Sequence, residues 1–188
     1  YELFNNGKLV KPGALQKQRA GNPAYTDVHF YQYDEKGNVL DMQGPDGIRT
    51  SYVWSYFKSR PLAKISGLPY SSVEPLLDQQ ALTFPSGGDA MLLAEADKLR
   101  TLLPSARVSA YLYDARSGWN LKQEKDMNGR NTFYKYDVLG RLAVVSDNDN
   151  HILSKNDYRY RAYAAYTFLN TEKSGLFQSQ LCNPGYRG

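Results

Sequence analysis

Apolar and polar residues alternate singly along much of this chain, in runs of five to seven closed by Asp, Asn and Gly. Val28-His29-Phe30-Tyr31-Gln32-Tyr33, Ile48 to Trp54, Arg107 to Tyr113 and Thr132 to Tyr136 are such runs. A two-residue period is that of a strand, so Tyr134 and Tyr136 are expected on one face. The runs ending at Tyr33, Tyr113 and Tyr136 each close on a turn signal. Asp137 and Gly140 stand as the first and fourth residues of a β-turn, where the Asp side chain bonds the turn backbone and Gly takes positive φ at little cost. Asp34-Gly37 repeats this spacing, and Asp114-Gly118 repeats it with one extra residue.

One stretch breaks the alternation. Leu92, Ala96, Leu99 and Leu103 recur at helical spacing, and Glu95, Asp97, Lys98 and Arg100 fill the other side. This predicts a helix over 89–103, stopped by Pro104. A shorter helix is predicted over 72–81, entered at Ser71 or Ser72 as cap, with Pro85-Ser86-Gly87-Gly88 between the two. The fold class is therefore mainly β, a curved antiparallel sheet of hairpins with a helical insertion. The chain divides into short N-terminal strands (1–24), a first hairpin unit (25–57), the insertion (58–105), two further units (106–165) and a turn-rich end (166–188) that reads as the start of a truncated module.

Composition narrows the partners. The chain has 16 Tyr among 188 residues, a side chain suited to half-buried strand faces with the hydroxyl in water. Its net charge is +4, but the 23 Lys and Arg are scattered without a basic stripe, so no nucleic-acid surface is predicted. Lys58, Arg60 and Lys64 form only a loose cluster that reads as a solvated loop. Cys182 is the single cysteine, which excludes an intrachain disulfide and a Cys/His zinc spacing. No apolar run approaches the roughly 18 residues of a transmembrane helix. The start at Tyr1, without a leader pattern, reads as a processed or truncated end.

The three Tyr-x-Tyr-Asp sites define a repeat: Tyr31, Tyr33, Asp34 and Gly37; Tyr111, Tyr113, Asp114 and Gly118; Tyr134, Tyr136, Asp137, Gly140, Arg141 and Leu142. Each is followed by a second turn and another aromatic pair (Tyr52/Trp54, Tyr134/Tyr136, Tyr158/Tyr160), with a period in the low twenties. Such a period belongs to arrays whose units bury their faces on one another. Tyr134-Lys-Tyr-Asp-Val-Leu-Gly-Arg-Leu142 resembles the core motif of the YD repeat of RHS-type proteins. The stretches Tyr52 to Tyr56, Pro61 to Ile65, and Leu99 to Pro104 resemble the Bacteroidetes version, where helices interrupt the repeats. The resemblance covers about residues 25–165. It implies an exported or cell-surface bacterial protein built on a spiralling sheet, in some members closed as a shell around a toxin. Three copies are too few to enclose a cargo.

Chemistry is sparse in the sequence. The recurring aspartates read as turn residues, and Asp147-Asn-Asp149-Asn150 has oxygen density without the Gly and distal Glu of a calcium loop. His29 and His151 accompany no nucleophile elbow, and no phosphate loop or HExxH occurs. No catalytic residue, metal or cofactor is assigned. The tyrosine pairs are expected to pack between repeats, and Arg141 to lay its stem over a neighbouring tyrosine. Trp54, Tyr56 and Trp119 are the candidate glycan contacts. The expected function is a non-enzymatic structural or adhesive segment of a larger surface protein. Glycan binding through exposed aromatics is the alternative, and part of a toxin-delivery shell the third reading. A glycan or another cell-surface protein is the expected partner.

Overall fold

Single alternation with short turns leaves the chain little choice but to fold back beside itself, and it does so ten times. The computed structural model describes residues 1–21, 23–83 and 88–158. Expectations for Pro85 to Gly87, for Arg159 and Tyr160, and for 166–188 with Cys182 lie outside these residues. A two-stranded hairpin of β1 (Glu2–Phe4) and β2 (Leu9–Lys11) precedes one large sheet. That sheet holds β3 (Ala14–Lys17), β4 (Tyr25–Tyr33), β5 (Val39–Gln43), β6 (Arg49–Ser55), β7 (Arg60–Ser66), β8 (Arg107–Asp114), β9 (Asn120–Lys125), β10 (Asn131–Tyr136), β11 (Leu142–Asp147) and β12 (Ile152–Lys155). Every strand pairs antiparallel with the next in sequence, so the sheet is an uninterrupted meander. All of these elements belong to one compact unit, Tyr1–Asp157.

The helices α1 (Tyr70–Val73), α2 (Gln79–Thr83) and α3 (Gly88–Leu102) leave the sheet after β7 and return at β8, which pair with each other. They cover one face. Val53, Ile65, Val108 and Leu112 of the strands meet Leu82, Leu92 and Leu99 of the helices in the buried core. The helical spacing of α3 is as predicted, with Leu92, Ala96 and Leu99 buried. Its polar side is clipped to the sheet. Lys125 pairs with Asp97 at 2.7 Å, Lys122 pairs with Asp89, and Arg100 donates to the Asp126 and Lys125 carbonyls.

The predicted helix over 72–81 is broken. α1 is followed by a 3₁₀ turn, Glu74–Leu76, and Leu77 is extended. Pro75 disrupts the run, and Asp78 restarts it as α2 by accepting from the Gln80 and Ala81 N–H at 2.9 and 3.1 Å. Neither Ser71 nor Ser72 caps α1. Its entry is satisfied from the sheet, where Asp41 Oδ2 accepts the Tyr70 N–H at 3.1 Å. Asp41 is in turn held by Arg49 Nε at 2.9 Å and by Arg49 Nη2.

Register reveals a repeat finer than the sequence motif. In β10/β11, Lys135 opposes Val144 and Tyr136 opposes Leu142, so Ala143 is an extra residue on the return strand. The same slip puts Leu40 in β5, Leu62 in β7 and Lys122 in β9. It falls each time opposite the last aromatic before the tip: Tyr33, Trp54, Tyr113 and Tyr136. Such bulges bend the strand and strengthen its twist. Four hairpins thus carry the slip opposite an aromatic, not three, while β11/β12 carries it at Leu153 opposite Ser146. The unrecognised one is β6/β7, where Ser55 stands at the Asp position and donates instead to the Leu82 carbonyl of α2 at 2.7 Å. A second slip in β4, at Tyr31, splits the first aromatic pair. Tyr31 is 40% exposed under Arg49, whereas Tyr33 is 5% exposed against Phe4 and Phe30. The expectation of one shared face fails there because the strand is not regular.

Candidate functional site

The recurring carboxylates are spent on their own turns. In the turns opened by Asp34, Asp126, Asp137 and Asp147, one carboxylate oxygen accepts from the N–H two and four residues on, at 2.8–3.0 Å. The fourth residue, Gly37, Gly129, Gly140 or Asn150, has positive φ and donates to the Asp carbonyl. This is a type I turn closed by a left-handed residue. The fifth residue of three of them folds back on the other carboxylate oxygen: Asn38 at 2.8 Å, Arg141 Nε at 2.8 Å and His151 Nδ1 at 3.1 Å. The Arg141 guanidinium therefore belongs to Asp137 and holds its carboxyl below the usual range. The Asp114 turn carries its extra residue as predicted, with Gly118 and Trp119 both at positive φ.

Asp147, Asp149 and His151 bring ligand-type atoms within 4.8 Å of one another. The Asp147 oxygens are those of the ordinary turn, which explains the cluster without an ion. His29 lies in β4 with its ring 4.6 Å from Tyr31, on a different part of the sheet from His151 in the β11–β12 turn.

The aromatic pairs bind repeat to repeat through a contact that sequence alone does not show. Trp54 Nε1 donates to the Val39 carbonyl at 2.9 Å, and Tyr136 Oη to the Leu121 carbonyl at 2.8 Å. Val39 and Leu121 are the residues opposite Tyr33 and Tyr113 in the preceding hairpins. Tyr134 Oη donates to Glu124 Oε2 at 3.1 Å. Of the candidate glycan contacts, Tyr56 and Trp119 come together, centroids 5.3 Å apart at 69°, with Tyr113 edge-on to Tyr56 at 6.0 Å. Trp119 is 40% exposed. Trp54 stands apart from them, its indole N–H already bound.

Alternate turns of a meander fall on one edge, so the tips at Asp34, Ser55, Asp114 and Asp137 line up. The tip between β6 and β7 is unusual: Tyr56, Phe57 and Lys58 are all left-handed, with φ of 52, 58 and 58°. This costs roughly 1–2 kcal/mol per residue without a Gly. The adjacent tip holds it in place. Lys36 Nζ donates to the Phe57 carbonyl, Asn38 Nδ2 to the Lys58 carbonyl at 2.8 Å, and Lys58 Nζ pairs with Glu35 at 2.6 Å.

Beside these two locked tips lies a cleft of about 630 Å³. Leu40, Val53 and Trp54 of the sheet form part of its lining. Asn5 and Asn6 of the β1–β2 turn and Tyr70, Glu74 and Gln79 of the helical segment also line it. Its size is that of ordinary small-molecule sites, ~300–1,000 Å³. No single sequence run announces it, because its residues come from four separated segments. The one available signal was Tyr70, an aromatic placed between Pro69 and Ser71 outside any alternating run.

Burial pushes the Tyr70 and Tyr113 hydroxyls up to about 12 from the ordinary 10.0. The neutral form is favoured in the fold, so this stabilisation is complete below pH 10 and is lost as pH rises from 10 through 12. Absorbance titration of phenolate is expected to show two late tyrosines ionising together with loss of near-UV ellipticity. Ionisation of every tyrosine near pH 10 in a still-folded chain would contradict it.

The geometry defines a class: a meander of equivalent bulged hairpins, cross-linked by aromatic side chains and capped on one face by helices. A scan of protein-family models finds no match to the chain, and a search of curated proteins finds none either.

Proposed function

We propose that this chain is a non-catalytic structural and adhesive segment of a larger, exported repeat protein of the RHS/YD type. The single observation that carries the reading is the repetition itself. Four hairpins share the same bulge opposite the same aromatic, and two of the aromatics bond the preceding hairpin in the same way. Asp34 and Asp137 have both carboxylate oxygens taken up by their own turns and Asp114 has one, which favours a scaffold over acid–base chemistry. No helix among the described residues is long and apolar enough to cross a membrane.

In such an array each unit leans mainly on its neighbours. The buried core cluster draws only on residues up to Leu112. A chain ending after β9 at Asp126 is therefore expected to keep β3–β9 and the helices folded, with native near-UV ellipticity and lower stability. Global unfolding of that shortened chain would sink the scaffold reading. Antibody labelling of intact producing cells tests its place: signal only after permeabilisation would rule out a surface role.

A further inference from the structure

We propose that the ridge of hairpin tips along one edge of the sheet is a docking surface for an anionic lipid bilayer. The inference goes beyond the scaffold reading and does not rest on it, since it needs only the tips themselves.

The tips are 34–38, 55–60, 114–119 and 137–141, and contacts chain them into one ridge. Lys58 pairs with Glu35 at 2.6 Å between the first and second. The Tyr56 and Trp119 rings meet between the second and third, centroids 5.3 Å apart. Asn120 Nδ2 donates to the Gly140 carbonyl at 3.2 Å between the third and fourth. Along this ridge Phe57, Trp119, Val138 and Leu139 are exposed, Val138 completely.

The turns do not require these side chains. The same Asp-initiated turn is made with Glu35-Lys36 and with Asn148-Asp149 at the two central positions that Val138-Leu139 occupy. Phe57 is held on three successive left-handed residues, locked by the neighbouring tip. Backbone strain of this kind persists where the surroundings enforce it, and it collects at functional positions. Exposed apolar side chains gathered on one rigid ridge mark a contact surface.

Charge and shape select the occupant. On the ridge Glu35 and Asp137 are paired with Lys58 and Arg141, and Asp34 is buried. Lys36, Arg60 and Arg116 have no ion pair among the described residues, and only Asp114 stands against them. The turns on the opposite edge carry Asp46, Asp126, Asp147 and Asp149 against Arg19 and Arg130. One edge is therefore cationic with apolar points, and the other is anionic. A bilayer with anionic headgroups complements the first, because it attracts the cations and takes up the apolar side chains. A protein partner fits less well. Stable protein interfaces bury about 800 Å² per partner in a matched surface. This ridge offers separate apolar points on projecting turns, and a bilayer accepts each point by itself. Tryptophan in particular is favoured at the headgroup level.

The test is cosedimentation of the full chain with large unilamellar vesicles. One set is phosphatidylcholine alone, and the other is two parts phosphatidylcholine to one part phosphatidylglycerol. Val138→Asn/Leu139→Ser removes apolar points from the ridge, and Arg116→Gln removes one cation. Met127→Ser removes an exposed apolar side chain from the opposite edge as the control. All these positions are exposed turns, and native near-UV ellipticity checks the fold of each variant. Binding is expected to the anionic vesicles and not to phosphatidylcholine alone. It is expected to weaken about 10-fold in Val138→Asn/Leu139→Ser and about 5-fold in Arg116→Gln, and to be unchanged in Met127→Ser. No binding to the anionic vesicles, equal binding to both vesicle types, unchanged binding in either ridge variant, or an equal loss in Met127→Ser would each overturn the proposal. So would a dimer in sedimentation velocity that Val138→Asn/Leu139→Ser abolishes, since the ridge would then serve a second copy of the chain.

Discussion

Replacing Arg49 by methionine is expected to destabilise the chain by about 3–5 kcal/mol, the cost of stranding a buried charge. Asp41 is only 3% exposed. Its carboxylate takes both Arg49 donors and the Tyr70 N–H. Methionine fills much of the arginine stem's volume but leaves the carboxylate with a single amide donor. Against a typical total of about 5–15 kcal/mol, the loss would be visible in any urea melt. The double variant Arg49→Met/Asp41→Asn separates charge from packing. An asparagine oxygen still accepts the Tyr70 N–H, so most of the stability is expected to return. If Arg49→Met alone shifts the midpoint by less than about 1 kcal/mol, Asp41 is better solvated than its burial indicates.

The second large effect is expected from Leu92→Ala. Leu92 is fully buried, at 0% exposure, where α3 lies on β7 and β8. Truncating it removes transfer energy and leaves a cavity, together about 2–5 kcal/mol. Leu102, on the exposed side of the same helix, is the control, and its alanine variant is expected within about 0.5 kcal/mol of wild type. Similar losses from both variants in urea unfolding would show that α3 does not dock through its Leu92 face.

Much of this architecture is legible along the chain because it rests on local rules. Period-two alternation placed the hairpin strands, and the Leu92–Leu99 spacing placed α3 within a residue of each end. The remainder depends on partners distant in sequence. Nothing near Ser71 reveals that Asp41, on another strand, accepts the first N–H of α1. Nothing in Leu62 distinguishes a bulge from an ordinary strand position. The β6/β7 hairpin carries no such mark along the chain, because Ser55 stands where the others have Asp and bonds the Leu82 carbonyl of α2 instead. Asp126 and Asp147 make the same turn as Asp137, but lack the Tyr-x-Tyr before them that drew attention to it. The cleft was the least legible feature, since it needs the β1–β2 turn, two tips and the helical segment assembled at once.

Ser66 and Arg107 oppose each other across β7 and β8, so the chain between them leaves and re-enters the sheet at one point. Loop closure grows more costly only logarithmically with length. An excursion that kept an apolar face against Val53, Ile65, Val108 and Leu112 could therefore stand in for residues 67–106 with no strand changing its register. Part of the cleft's lining lies on that excursion and the rest on the hairpins. The wall of the cleft could thus be rebuilt by swapping a single insert, much as a tool handle takes different heads, while the sheet beneath it stays the same.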